Sequence, residues 1–309
     1  MKLLNAIFKT KPKIDFVKLS QEFHNKNNFA EKMAFLTSHY QTIYDYLSGF
    51  SIDNSTTTYT KNYLNDALIR FFHTLSLLPN IKTSSKLLEI GSNPYLQTIL
   101  LQKLFSFNIT QTNFFDNNIY STQVNKFSQT ISNPDLHESY KFESILYNLE
   151  SIPHPIKSNS YDIILFCEVL EHLIVDPLKV FSEFKRIIKK SGYLLITTPN
   201  AARLTNIATL LKGDNIFDLY HPENGVFGRH NREFTLNELK FVLTQNNFRI
   251  ISANTYDRYN YDQIDIYSVG YQGLNKINYR KTDLIHKIEQ IGGKTDNIGD
   301  NLYILCQKI

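Results

Sequence analysis

Residues 87–98 read LLEIGSNPYLQT: an apolar run, a carboxylate inside it, one glycine, an Asn-Pro step and the start of a helical pattern. A short, fully apolar strand that ends on glycine and feeds a helix is the opening unit of a mainly parallel α/β sheet. A loop that cradles a pyrophosphate needs three glycines in G-x-G-x-x-G, so that the phosphates can reach the helix N-terminus. Here Asn93, and then Tyr95 or Leu96, stand where the second and third glycines belong. The loop therefore suits a ligand that approaches the backbone closely at Gly91 and carries no phosphate.

Downstream of this unit, strand and helix patterns alternate. NITQTNFF (108–115) reads as a second strand, and 117–147 as a helix followed by a strand at 142–147. YDIILFC (161–167) is a buried strand, LKVFSEFKRIIKKSG (178–192) an amphipathic helix stopped by glycine, and YLLITTPN (193–200) another buried strand. After an irregular stretch come the helix TLNELKFVLTQNNF, the strand RIISANTY, a helix near 282–291 and a final strand, NLYILCQK. The last two strands are expected to form an antiparallel, hairpin-like edge. Upstream, residues 1–80 carry helical spacing in FVKLSQEFHNK, FAEKMAFLTSHYQTIYDYLSGF and NYLNDALIRFFHTLSLL, with a short amphipathic helix before Pro12. The expected organisation is a helical cap over 1–80 and a catalytic domain over 81–309 with a lid-like insertion at 201–232.

Bulk composition excludes more than it identifies. A net charge of +4, spread along the chain, is no footprint for nucleic acid or an anionic membrane. No apolar run reaches the roughly 18 residues of a membrane span, and the N-terminus has no cleavable-signal pattern. The two cysteines, Cys167 and Cys306, lie in apolar strands, which fits a reducing cytoplasm better than a disulfide framework.

Four segments together resemble the class I S-adenosylmethionine-dependent methyltransferases. LLEIGSNPY is similar to the first-strand motif, and NLESIPHPIKSNSYDIILFCEVLEHL to the segment running from the adenine contact to the fourth strand. IIKKSGYLLITTPN is similar to the fifth-strand entry, and FGRHNREFTLNEL to a motif of one subgroup. The departure is the missing pair of glycines after Gly91. The resemblance implies a Rossmann-like sheet with an antiparallel last strand, S-adenosyl-L-methionine as cofactor, and a methyl acceptor.

It also implies site residues. Gly91 and Asn93 would flank the methionine part of the cofactor, with Glu89 either bracing the loop or facing the ammonium. Asp116 would accept the ribose hydroxyls, and Asn148 with Leu149 would meet adenine. Glu168, Glu171 and His172 in CEVLEHL would project from one helical face at the ligand edge of the sheet. That trio has three readings: a divalent site (Mg, Mn or Zn) completed by His230, a general base (His172 oriented by a glutamate, or else His230), or a structural helix cap. His221 is a second candidate within the insertion, whose Arg203, Tyr220, Arg229 and Arg232 suit a hydroxylated acceptor. Tyrosine-rich runs at 45–50 and 256–272 could add stacking surfaces for a sugar. The expected activity is O-methylation of a sugar, glycan or other small polar acceptor. The alternatives are an RNA 2′-O-methyltransferase-like enzyme, a catalytically silent partner subunit, and a nucleotide-dependent oxidoreductase that the missing glycines disfavour.

Overall fold

The computed structural model describes residues 14–53, 56–82, 84–116, 118, 120–218, 225–258, 262–266 and 277–309. The helix expected before Pro12 lies outside these residues, as do Tyr220, His221 and much of the second tyrosine-rich run. Four helices come first: α1 (Phe16–His24), α2 (Phe29–Ser38), α3 (Tyr40–Leu47) and α4 (Thr57–Leu77), with the two-residue strand β1 (Ser51–Ile52) before α4. Asn28 starts α2 by accepting the Glu31 amide at 3.0 Å, while the Glu31 carboxylate reaches back to the Asn27 amide at 3.0 Å. The run expected as one helix over 29–50 breaks at His39. Its ring bonds the Phe35 carbonyl at 2.9 Å, the acceptor its own amide would need to continue the helix, and that amide turns to Leu36 instead.

The sheet and its helices follow as β2 (Lys86–Ile90), α5 (Leu96–Leu104), β3 (Asn108–Asn113), β4 (Asn125–Asn133), β5 (Glu138–Leu146), β6 (Tyr161–Cys167), α6 (Pro177–Ile187), β7 (Ile188–Pro199) and α7 (Leu204–Leu211). They are completed by α8 (Leu236–Gln245), β8 (Phe248–Tyr256), β9 (Gln263–Ile266), β10 (Ile277–Arg280), α9 (Lys281–Gln290) and β11 (Asn301–Lys308). Among the described residues one sheet has the order β1-β4-β5-β3-β2-β6-β7-β11-β8, and β9 pairs only with β10. β1, β2, β3, β5, β6, β7 and β8 run one way; β4 and β11 run against them. The mostly parallel sheet with an antiparallel last strand is as expected. β11 does not sit at the edge beside β8 alone, however, but is inserted between β7 and β8.

Alternate residues of the central strands feed two cores, which is why the strands read as unbroken apolar runs. Leu87, Ile163, Leu165 and Leu195 join Phe23, Leu36, Leu68 and Leu75, so the N-terminal helices share one core with the sheet. Leu88, Ile164, Phe166 and Ile196 face the other way, onto Phe181 and Phe184 of α6 and Leu239 and Leu243 of α8.

Two expectations need correction. The ambiguous stretch 117–147 has no α-helix among its described residues: β4 and β5 form an antiparallel hairpin across a 3-10 turn at Pro134–Leu136, with Asn125–Asn133 paired against Glu138–Leu146. The helix expected to run to Gly192 stops at Ile187, where β7 begins with Ile188 opposite Tyr161. Gly192 is a close-approach residue inside the strand, since a Cβ there would lie 2.9 Å from the Asp162 carbonyl oxygen. An ion pair between Lys189 and Asp162 at 2.8 Å draws this segment to β6.

Candidate active site

The carboxyl ends of β2, β3, β5, β6 and β7 meet the start of β11 at one edge of the sheet. Two cavities open there, of about 480 Å³ and about 270 Å³, and both are lined by Gly91, Asn93, Glu168 and His172. The smaller is an apolar slot between Tyr147, Asn148 and Leu149 on one side and Val169, Leu173 and Phe227 on the other. The larger is polar, and one face of α4 walls it with Tyr63, Asp66, Arg70, Phe71 and Thr74.

The loop between β2 and α5 explains how one glycine suffices. Gly91 has φ +71°, and a Cβ on it would come within 2.5 Å of Val169 Cγ2. Tyr95, at the place of the third glycine, keeps the left-handed conformation at φ +64°. That conformation costs an L-residue roughly 1–2 kcal/mol. The fully buried Tyr95 ring stacks on Phe142 with centroids 4.8 Å apart, and its hydroxyl donates to Gln129 Oε1 at 2.9 Å. Asn113 Nδ2 in turn bonds Tyr95 OH at 3.1 Å and Ser144 Oγ at 2.9 Å.

Most of the expected cofactor residues come together. Glu89 is buried and accepts from Thr98 Oγ1 at 2.6 Å, and burial raises its carboxyl to about 7 against these hydrogen bonds. It braces the first turn of α5 and lines the larger cavity. The Asn93 amide donates to Asn113 Oδ1 at 3.0 Å. Asn148 is buried in the slot with its Oδ1 accepting the Glu150 amide at 2.9 Å, and Leu149 is beside it. Asp116 falls elsewhere. It lies past the end of β3, exposed, bonded to the Asn118 amide, and lines neither cavity. Asn113 holds the strand terminus in its place, because β3 stops two residues earlier than the apolar pattern indicated.

Glu168, Glu171 and His172 do not share a helical face. Glu168 is left-handed at φ +54°, and only Leu170–His172 form a 3-10 turn. The Glu168 carboxylate is saturated: it pairs with Arg70 at 2.7 Å and accepts from Thr197 Oγ1 at 2.8 Å and Asn301 Nδ2 at 2.9 and 3.0 Å. Its expected place as a metal ligand is therefore taken by this network. The ligand atoms of Glu171, His172 and His230 do cluster, all within 4.8 Å of one another. Burial raises the Glu171 carboxyl, with the Glu168 charge adding to the effect.

His172 Nδ1 lies 2.9 Å from the Arg229 carbonyl oxygen. A carbonyl can only accept, so Nδ1 carries the proton and Nε2 keeps its lone pair. Burial lowers the His172 pKa, so the ring is neutral at pH 7. His230 Nδ1 bonds Glu233 Oε1 at 2.8 Å, and the two imidazoles meet edge to face at 5.2 Å. Burial opposes the charged Glu233, but His230 and Arg203 hold its carboxyl down at about 2. The insertion is stapled over this cluster: the Asn231 and Arg232 amides donate to the Glu171 carbonyl, and Asn231 Nδ2 to that of His172.

Four site residues were not apparent from sequence: Arg70, Asn113, Glu233 and Asn301. Arg70 and Asn301 come from elements far apart in the chain and carry no motif. Glu233, in the segment GRHNREFT, was three residues from the histidine already singled out.

The sheet order, the close approach at Gly91 and the paired cavities accord with a class I S-adenosylmethionine-dependent methyltransferase. Residues 59–253 match the family described as a methyltransferase domain, and the chain belongs to that family. The match begins inside α4. Among solved structures, the chain is similar to S-adenosylmethionine-dependent methyltransferases from Thermotoga maritima (15% identity, 82% of this chain and 95% of that one, TM-score 0.45) and Archaeoglobus fulgidus (16%, 80% and 94%, 0.46). It is also similar to the Haloferax volcanii methyltransferase solved with the Trm112 methyltransferase activator (9% identity, 85% and 96%, 0.48). No curated protein matches the chain.

Proposed function

We propose that the chain methylates a hydroxyl of a sugar, glycan or other small polar acceptor. The observation that carries this reading is His172, which lines the cavity with Nδ1 2.9 Å from the Arg229 carbonyl oxygen, so that Nε2 carries the lone pair; burial lowers its pKa. Bound at this site, S-adenosylmethionine supplies a methyl already activated on its sulfonium. Tyr147, Leu149 and Leu173 would take the adenine side, Gly91 and Asn93 the span between the cavities, and Arg70 a carboxylate at the far end. An alcohol loses its proton as it becomes the nucleophile, so His172 Nε2 serves as general base, its ring held by the Arg229 carbonyl and the edge of His230 with Glu171 alongside. The mixed polar and aromatic face of α4 suits a hydroxylated acceptor. A net charge of +4, spread thinly, favours a small acceptor over RNA.

In the same proposal the described helices within residues 1–80 form a cap whose α4 walls the site, 81–309 carry the methyltransferase domain, and the described part of 201–232 lies over the acceptor. The working compartment is the cytoplasm: both cysteines are free thiols, and no described helix is long and apolar enough to cross a membrane. The test is S-adenosylhomocysteine release across a panel of sugars, alcohols and amines. Turnover confined to amines, which need no such base, would remove the hydroxyl reading.

One geometric fact favours a second reading. Glu171, His172 and His230 converge, and both rings have Nδ1 bonded to a carbonyl or carboxylate, the orientation metal-bound histidines adopt. These three side chains would hold a divalent ion (Mg, Mn or Zn), and its charge would lower the acceptor hydroxyl's pKa. Turnover abolished by chelator and restored by one of these ions supports this reading; turnover indifferent to chelator leaves His172 as a metal-free base.

A further inference from the structure

We infer that the β4–β5 hairpin sets the shape of the cofactor loop, and that Gln129 is a positioning residue for cofactor binding. The inference rests on the cofactor reading of Gly91 and Asn93 and goes beyond it to a strand that lines neither cavity. Gln129 stands on β4, half-buried, and its side-chain oxygen is the shared acceptor for two loop residues. Tyr95 OH donates to it at 2.9 Å and Asn93 Nδ2 at 3.1 Å. An amide oxygen only accepts, so the single Tyr95 proton is committed to Gln129, and the Tyr95 oxygen is left to accept from Asn113 and the Ser144 hydroxyl. The far end of Gln129 is anchored as well: its Nε2 approaches Asp53 Oδ2 at 3.4 Å, beside β1.

Physical necessity lies behind this brace. Glycine would adopt the left-handed backbone at position 95 without strain, whereas tyrosine does so only where its surroundings compensate. Ring stacking on Phe142 fixes the plane of the side chain, and the hydroxyl contacts fix its rotation and depth. Asn93 faces both cavities and is held by the same oxygen. Freed from Gln129, Tyr95 can relax toward a right-handed conformation, and residues 92–94 then swing from their place beside Gly91. In a loop with three glycines such an anchor would be superfluous. Here the sheet edge does what the missing glycines would have done.

The experiment is calorimetric titration of S-adenosylhomocysteine into the full chain and three variants: Gln129→Leu, Tyr95→Phe and the double variant. Tyr95→Phe keeps the stacked ring and removes only the hydroxyl. Each single variant is expected to weaken binding about tenfold, equivalent to about 1.4 kcal/mol. The double variant should be little worse than Gln129→Leu alone, because the Tyr95–Gln129 link is already broken there. Thermal midpoints should move little, since Gln129 is half-exposed and Tyr95 keeps its ring. Wild-type affinity in Gln129→Leu would overturn the inference, as would losses that multiply in the double variant or that track a common fall in melting temperature. A wild-type chain that takes up no S-adenosylhomocysteine would instead remove the cofactor reading itself, and the brace with it.

Discussion

His172 Nδ1 donates to the backbone carbonyl of Arg229 across 2.9 Å, so a residue of the insertion decides which nitrogen of the proposed base faces the acceptor. The contact joins the turn after β6 to a segment nearly sixty positions later in the chain. It fixes the described part of the insertion to the proposed base.

Replacing His172 with alanine should lower kcat by about a hundredfold or more, the usual worth of a positioned general base. Affinity for S-adenosylhomocysteine should stay within about threefold, because the backbone around Gly91 and Asn148 is untouched. Steady-state turnover and calorimetry on the same preparation check both halves. Equal loss of cofactor affinity would make His172 structural.

Gly91→Ala should abolish cofactor binding. The new methyl would sit 2.5 Å from Val169 Cγ2 at a backbone φ of +71°. The left-handed strain alone costs roughly 1–2 kcal/mol, and relief of the clash would push Val169 or the loop into the cleft. Adding Val169→Ala should restore part of the affinity, since it removes the clash and leaves the strain. Undiminished binding in Gly91→Ala, measured by calorimetry, would contradict the site assignment outright.

Arg70→Gln should destabilise the fold by roughly 2–4 kcal/mol, because Glu168 is left with hydrogen bonds but no counter-charge in a site where both side chains are mostly buried. Burial works against the Arg70 charge, yet Glu168 outweighs it and raises the pKa. The double variant Arg70→Gln with Glu168→Gln should recover a large part of the loss. Urea unfolding of the four proteins measures the coupling; simple additivity would mean the pair does not tie α4 to the sheet.

Acid should weaken the fold in part through His73. Its ring is buried and stacked on Tyr256 with centroids 4.5 Å apart, and burial lowers its pKa to about 4. The unfolded chain therefore binds the extra proton first, from about pH 6.5 downward. The contribution of the neutral ring is whole above pH 6.5, shrinks as pH falls, and is gone below about 4. That gap corresponds to about 3 kcal/mol. Stability of His73→Phe followed from pH 7 to 4 should lack this component; an unchanged acid slope would exclude His73 as its source.

Sequence by itself determined the alternating apolar strands, the order of the central elements, and the close backbone approach at Gly91. Those features are local: a strand buried on both faces writes its burial into consecutive residues, and a close approach needs glycine at one position. Pairing alternatives were beyond it. The segment 125–133 is polar and exposed on one side, so nothing in its pattern distinguishes a hairpin strand from a helix until β5 is present to bond it. Likewise 188–192 could continue a helix until β6 offers Tyr161 and Asp162 as partners. The site divides in the same way. EVLEHL announced its carboxylates and imidazole, but only the folded chain could show that Glu168 is spent on Arg70 and Asn301 while Glu171, His172 and His230 converge. Side-chain partners drawn from α4, β11 and the insertion are chosen by three-dimensional neighbourhood, which no local pattern encodes.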